Sequence, residues 1–100
     1  MPVVVELIGE SGEQVAAVGD VGGFIARCAS EPREWRLLKY VDEYGDTYFN
    51  RLQMLDFLAD WEAAGALLRS SEEEKLWLEV GRLARECRDE VHLYLKFFGD

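Results

Sequence analysis

The chain has 100 residues, a length typical of one domain built around one hydrophobic core, so we expect a single domain over residues 1–100. Apolar residues make up 49% of the sequence and charged residues 31%, which is the composition of a globular protein and not of a disordered chain. Twenty acidic residues against eleven Lys and Arg give a net charge of −9, which argues against nucleic acid and anionic membranes as partners.

The sequence also bears on location and redox state. No apolar run approaches the ~20 residues that a membrane-spanning helix needs, and residues 1–6 lack the basic start of a secretory signal. We therefore expect a cytoplasmic protein that does not enter membranes. Cys28 and Cys87 lie far apart in predicted helices, and in that compartment they fit free thiols better than a disulfide.

The first thirty residues predict a hairpin followed by a short helix. Residues 3–8 are rich in β-branched side chains, residues 9–12 carry turn chemistry, and residues 14–18 can return antiparallel to the first strand. Asp20 is a suitable N-cap, so residues 20–29 are predicted to form a short helix that contains two glycines.

The middle of the chain predicts a second hairpin. Apolar side chains occur on both faces of residues 35–41, which favours a strand covered on both sides. Residues 42–46 supply a loop with a glycine, and residues 47–49 restart the β pattern.

A long amphipathic helix is predicted to follow this hairpin. Asn50 is a good N-cap, and apolar residues from Leu52 to Leu68 recur on one side at helical spacing. A second strip of small apolar side chains lies on the other side: Leu55, Ala59, Ala63 and Ala66. We expect another helix of the same chain to cover this strip, and contact with a second copy is the alternative.

The last third of the chain predicts a third helix and a final strand. Ser71 and Glu74 have the spacing of a capping box at the helix start. Its predicted buried face comprises Leu76, Val80, Leu83, Ala84 and Cys87. Residues 91–98 alternate between apolar and other side chains, so they are expected to form a strand that is integral to the sheet.

These segments predict one α+β domain in the order β-β-α-β-β-α-α-β, with a mainly antiparallel sheet packed against helices. The order of the strands within the sheet does not follow from the sequence.

No common catalytic or cofactor motif is present: the chain has no GxxxxGK[ST], GxGxxG, GxSxG or HExxH sequence, and its cysteines and histidine match no zinc spacing. His92, the only histidine, is predicted to lie on the surface without a partner close in sequence. We expect no cofactor, no catalytic residue and no dedicated metal site. The three carboxylates of the loop 42–46 leave open an alternative in which they bind Ca²⁺ or Mg²⁺.

Acidic residues are concentrated in the middle of the chain. Residues 42–62 contain six acids and one base, and therefore carry −5 of the total charge of −9. Such a field favours a cationic protein partner, and exposed tyrosines add the aromatic area common at binding hot spots. The candidate partner-binding residues are Asp42, Glu43, Tyr44, Asp46, Tyr48, Asp56 and Asp60.

The sequence therefore favours a non-enzymatic protein-interaction module with an acidic face for a basic protein partner. Small size, acidity and the α+β pattern make the chain similar in character to bacterial immunity proteins that cap basic toxins, although no motif of such a family matches residue by residue. That similarity implies an immunity or antitoxin-like role. The alternatives are a domain that binds a small ligand or a divalent metal ion, and a homo-oligomeric structural protein such as a homodimer.

Overall fold

A computed structural model describes residues 3–99 and confirms the predicted α+β class. Four strands form one antiparallel sheet in the order β2-β1-β4-β3, and three helices pack on one of its faces. The elements are β1 (Val4–Gly9), β2 (Gln14–Gly19), α1 (Phe24–Ala29), β3 (Asp46–Asn50), α2 (Met54–Ala64), α3 (Ser71–Asp89) and β4 (Leu93–Phe98).

The sheet is centred on β1 and β4. The predicted first hairpin is present, with β1 antiparallel to β2 and a register shift between Leu7 and Ile8. The final strand β4 pairs with both β1 and β3, so the predicted integral role of the C-terminal strand is confirmed. It begins at Leu93 and not at residue 91, because His92 has a φ of 72° and therefore cannot continue an extended strand.

The predicted strand at residues 35–41 is wrong. This segment forms a loop with a short 3₁₀ helix, Leu38–Tyr40, so the sheet has four strands and not five. The carboxylate of Asp60 on α2 accepts hydrogen bonds from the backbone N–H groups of residues 36, 37 and 38. Since those amides already have acceptors, the segment does not need a β partner. The strand β3 consequently pairs with β4 alone.

The helix starts follow capping chemistry. Asn50 caps the 3₁₀ turn Arg51–Gln53 that leads into α2, and Gln53 returns a hydrogen bond to the Asn50 backbone. Ser70, and not Ser71, caps α3 by accepting a bond from the Glu73 N–H at 3.1 Å. The first helix, α1, begins at Phe24, later than predicted, because Gly22 and Gly23 adopt positive φ before it.

The core lies between the sheet and the helices and is largely aromatic. The Phe57 ring stacks on Trp61 with centroids 5.7 Å apart, and Phe97 contacts Phe57 at 5.6 Å. The helices α2 and α3 are joined by a reciprocal pair of hydrogen bonds. Trp61 Nε1 donates to the Trp77 carbonyl at 2.9 Å, and Trp77 Nε1 donates to the Trp61 carbonyl at 2.7 Å. Both indole N–H groups are therefore satisfied inside the helix layer.

A partly buried ion pair ties α1 to the start of α3. The Arg27 guanidinium donates to both carboxylate oxygens of Glu73 at 3.1 Å and to the Leu67 carbonyl at 2.9 Å. Hydrogen bonding to Arg27 lowers the pKa of Glu73, so this carboxylate stays ionised at neutral pH. Glu73 thus has a structural role at the start of α3.

Candidate functional site

The loop 42–46 is an ordered acidic turn. Asp42 Oδ1 accepts a hydrogen bond from the Tyr44 N–H at 2.9 Å, and the Gly45 carbonyl accepts one from the Gly99 N–H at 2.8 Å. The loop also forms one wall of a shallow cleft of about 260 Å³ against α1. Tyr44 is 73% exposed at the tip of this loop. The acids of the loop are therefore presented on a fixed backbone.

The sheet face opposite the helices adjoins this loop and carries aromatic side chains. Strand register places Asp46 beside Phe98, and Tyr48 beside Lys96. Tyr48 is 54% exposed and Phe98 is 42% exposed, so no other element covers them. Alternating residues of β3 and β4 thus place part of the predicted site on an open surface.

Lys96 is the cation at the centre of this open face. Its Nζ lies 3.7 Å from Glu6 Oε1 and 3.8 Å from Asp46 Oδ2, and 5.3 Å from the ring centroids of both Tyr48 and Phe98. Interaction with the Tyr48 side chain, followed by that with the two carboxylates, raises the pKa of Lys96. Lys96 therefore partly neutralises Asp46 and Glu6. This weakens the attraction that these two carboxylates exert on a cationic partner.

Two of the predicted site residues lie elsewhere. Asp60 is only 5% exposed, and its carboxylate is occupied by three backbone N–H groups at 2.8–3.1 Å. Asp56 pairs with Arg36 at 2.8 Å on the surface of α2. The prediction that Asp60 contributes to an exposed acidic face is therefore wrong, because the position faces the loop before β3. Asp42, Glu43, Tyr44, Asp46 and Tyr48 remain together.

The small-residue strip on α2 is not covered by a neighbouring helix, contrary to expectation. Leu55 is 76% exposed, and the three alanines of the strip are exposed as well: Ala59, Ala63 and Ala66. The helix α3 packs against a different side of α2, the side that carries Trp61.

A cavity of about 420 Å³ lies between α2 and α3 on the outer side of the helix layer. The residues that line it are Leu58, Trp61, Glu62, Trp77, Leu78, Gly81, Arg85 and Arg88. This groove was not predicted from the sequence. Two features of the sequence point to the groove: Gly81 lies inside a long helix, and Arg85 follows four residues later on the same side.

Both cysteines are buried, whereas the single histidine is exposed. Cys28 and Cys87 are free and buried, as predicted, and burial raises their pKa to about 12 and about 11, so both stay protonated. The exposed His92 contacts Glu10. Within residues 3–99, no three His, Cys, Asp or Glu side chains gather as a metal-binding group.

No helix within residues 3–99 combines the length and the apolar character needed to cross a membrane. Comparison of the chain with family models, curated proteins and solved structures found no match.

Proposed function

We propose that this domain is a non-enzymatic protein-interaction module that binds a basic partner through the loop 42–46 and the open sheet face beside it. The observation that supports the proposal best is the position of Asp46 beside the exposed Phe98 in the strand ladder, with Asp42, Glu43 and the exposed Tyr44 in the same loop. The carboxylates attract and orient a cationic protein, and the aromatic side chains bury area after contact.

The arrangement favours a protein partner because the surface is open and shallow. Tyr44, Tyr48 and Phe98 are all exposed, and the cleft beside Tyr44 is shallow. Small ligands are held in concave sites that bury most of their surface, whereas protein interfaces combine an aromatic centre with a polar rim. The overall charge of −9 adds long-range attraction for a basic protein.

An immunity or antitoxin-like role is the most concrete form of this proposal. In that case the partner is a basic toxic protein, and the domain blocks it by covering its cationic surface. Coexpression with the domain should then restore growth to cells that produce the partner.

The test compares affinity capture from the lysate of the native host by the unmodified domain and by the triple variant Asp42→Asn, Glu43→Gln and Asp46→Asn. Loss of three rim carboxylates should reduce the affinity for a basic protein by about threefold to a hundredfold, because each exposed charge contributes about 0.2–1 kcal/mol. The amide replacements keep the shape of the side chains, so the melting temperature should not fall.

The matched control removes the same charge elsewhere: Glu72→Gln, Glu74→Gln and Glu90→Gln, three exposed positions on or next to α3. This control should capture the partner almost as well as the unmodified domain. Equal losses in the two triple variants would mean that net charge alone governs binding, and unchanged capture by the loop variant would refute the proposed surface.

A further inference from the structure

The groove between α2 and α3 differs in charge from the rest of the molecule. The chain carries a net charge of −9, yet two arginines, Arg85 and Arg88, lie one helical turn apart along one side of this groove. Arg88 is held by Asp89 through contacts of 2.7 and 3.2 Å. Arg85 forms no ion pair with any residue in the described part of the chain, 3–99. Arg85 therefore supplies an available positive charge.

The Arg85 side chain folds back towards the groove. Its Nη1 lies 3.3 Å from the point that a β-carbon on residue 81 would occupy, above the floor that Gly81 leaves open. A glycine within the 19-residue helix α3 is unfavourable for helix formation, and here its missing side chain makes room at the base of the groove. The same gap lets Trp61 approach α3, with Cδ1 at 3.7 Å from that point.

The remaining lining is suited to an apolar body. Leu58 and Trp61 line the groove from α2, and Trp77 and Leu78 line it from α3. Both indole N–H groups already donate to backbone carbonyls, so these rings offer apolar surface and no free donor. A volume of about 420 Å³ is within the range of small-ligand sites, roughly 300–1,000 Å³.

Glu62 also lines the groove, from the α2 side. An anionic group would be repelled by Glu62 and attracted by Arg85, so it should lie against α3, with the apolar body over the Trp77 ring.

We propose that this groove binds small apolar monocarboxylates, with the carboxylate on Arg85 and the apolar body against Trp77, Leu58 and Leu78. A planar guanidinium is the side chain best matched to a carboxylate, since it can donate two parallel hydrogen bonds. This ligand site is separate from the loop 42–46 and does not depend on the function proposed for that loop.

The experiment titrates the ¹⁵N-labelled domain with 4-phenylbutyrate and, separately, with the uncharged 4-phenylbutyramide, and follows the indole N–H signals. Trp61 and Trp77 should shift in a saturable way with the acid, while Trp35, whose indole donates to the Cys28 carbonyl outside the groove, should not. The amide should bind at least about tenfold more weakly, because it loses the charge-assisted contact with Arg85.

Variants on opposite sides of the groove test the sign of the electrostatic effect. Arg85→Gln should abolish the preference for acid over amide, and Glu62→Gln should increase the affinity for the acid several-fold. Arg51→Gln removes one positive charge from an exposed site outside the groove and should leave the affinity within about twofold, since solvent and salt screen distant charges. Gly81→Ala should weaken binding by raising the groove floor.

Equal affinity for acid and amide would overturn the proposal, as would equal effects of Arg85→Gln and Arg51→Gln. Absence of any Trp61 or Trp77 shift at millimolar acid would do the same. Binding of a peptide that ends in phenylalanine without any binding of phenylbutyrate would overturn the small-molecule assignment and identify the groove as a protein contact.

Discussion

The carboxylate of Asp60 acts on residues 36–38 in the way that an N-cap residue acts on its own helix. It accepts hydrogen bonds from the backbone N–H groups of Arg36, Leu37 and Leu38 at 2.8–3.1 Å, where the 3₁₀ helix Leu38–Tyr40 begins. A buried carboxylate normally carries a high desolvation cost, and these three donors offset it. One side chain therefore fixes the path of a whole loop.

Replacing Asp60 by alanine should destabilise the domain by about 2–4 kcal/mol. The buried Leu38 N–H loses its acceptor at a cost of about 1–3 kcal/mol, and the part-buried N–H groups of Arg36 and Leu37 cost less because water can reach them. Urea denaturation measures the change. Asp56→Ala is the matched control, since it removes the exposed ion pair with Arg36 and should cost less than about 1 kcal/mol. Equal effects of the two variants would contradict the capping role.

Sequence reasoning could not separate Asp56 from Asp60. Both are aspartates on the same predicted helix, four residues apart, and the helical pattern placed both beside the small-residue strip. The difference arises from residues 36–38, which lie more than twenty positions earlier and reach Asp60 only in the folded chain. A contact over that separation leaves no periodic signal in the sequence.

The helices α2 and α3 are held together by two tryptophans, and two glycines lie where these helices and their side chains approach closely. The two glycines have different neighbours. A β-carbon on Gly65 would lie 2.8 Å from Trp77 Cζ2, whereas one on Gly81 would meet the mobile end of Arg85 at 3.3 Å. Gly65 is thus required by close packing, and Gly81 is not.

We expect opposite stability effects from the two glycine-to-alanine substitutions. Gly81→Ala should stabilise the domain by about 0.5–1 kcal/mol, because alanine is the better residue inside a helix and Arg85 can move aside. Gly65→Ala should destabilise it by about 1–3 kcal/mol, because the Trp77 ring, fixed by its bond to the Trp61 carbonyl, must shift. Thermal denaturation of both variants is the measurement, and destabilisation by Gly81→Ala would contradict this reasoning.

Elements with a strong local pattern were predictable and those set by distant contacts were not. The amphipathic spacing of α2 and α3 and the hairpin of β1 and β2 follow from side-chain periodicity. Residues 35–41 also alternate, but Trp35 donates its indole N–H to the Cys28 carbonyl and Leu38 is fully buried, so tertiary contacts override the β pattern.

The two-layer architecture places two surfaces of different chemistry on opposite layers of the domain. One is the open face of the sheet with the acidic loop 42–46 at its edge, and the other is the arginine-bearing groove in the helix layer. The sequence located the acids of the first surface but not the directions in which they point. It could not reveal the groove, because a groove depends on how two helices approach each other and not on either helix alone.

The sheet order β2-β1-β4-β3 makes the last strand essential to the fold. The strand β4 forms both ladders that join β3 to the first hairpin, and its inward side chains Leu95 and Phe97 are fully buried. Without β4, β1 loses one partner and β3 loses its only partner in the described sheet. The aromatic core around Phe57 would also open to water.

Deletion of residues 91–100 should therefore abolish cooperative folding. The stabilisation supplied by the two ladders and the core side chains of β4 exceeds the net free energy of unfolding of a typical domain, about 5–15 kcal/mol. The single substitution Leu95→Ala is the graded control: it should lower stability by about 2–5 kcal/mol while keeping one cooperative transition. Far-ultraviolet circular dichroism during heating distinguishes the two. A sigmoidal unfolding curve from the truncated chain would show that β1, β2 and the helices fold without the central strand.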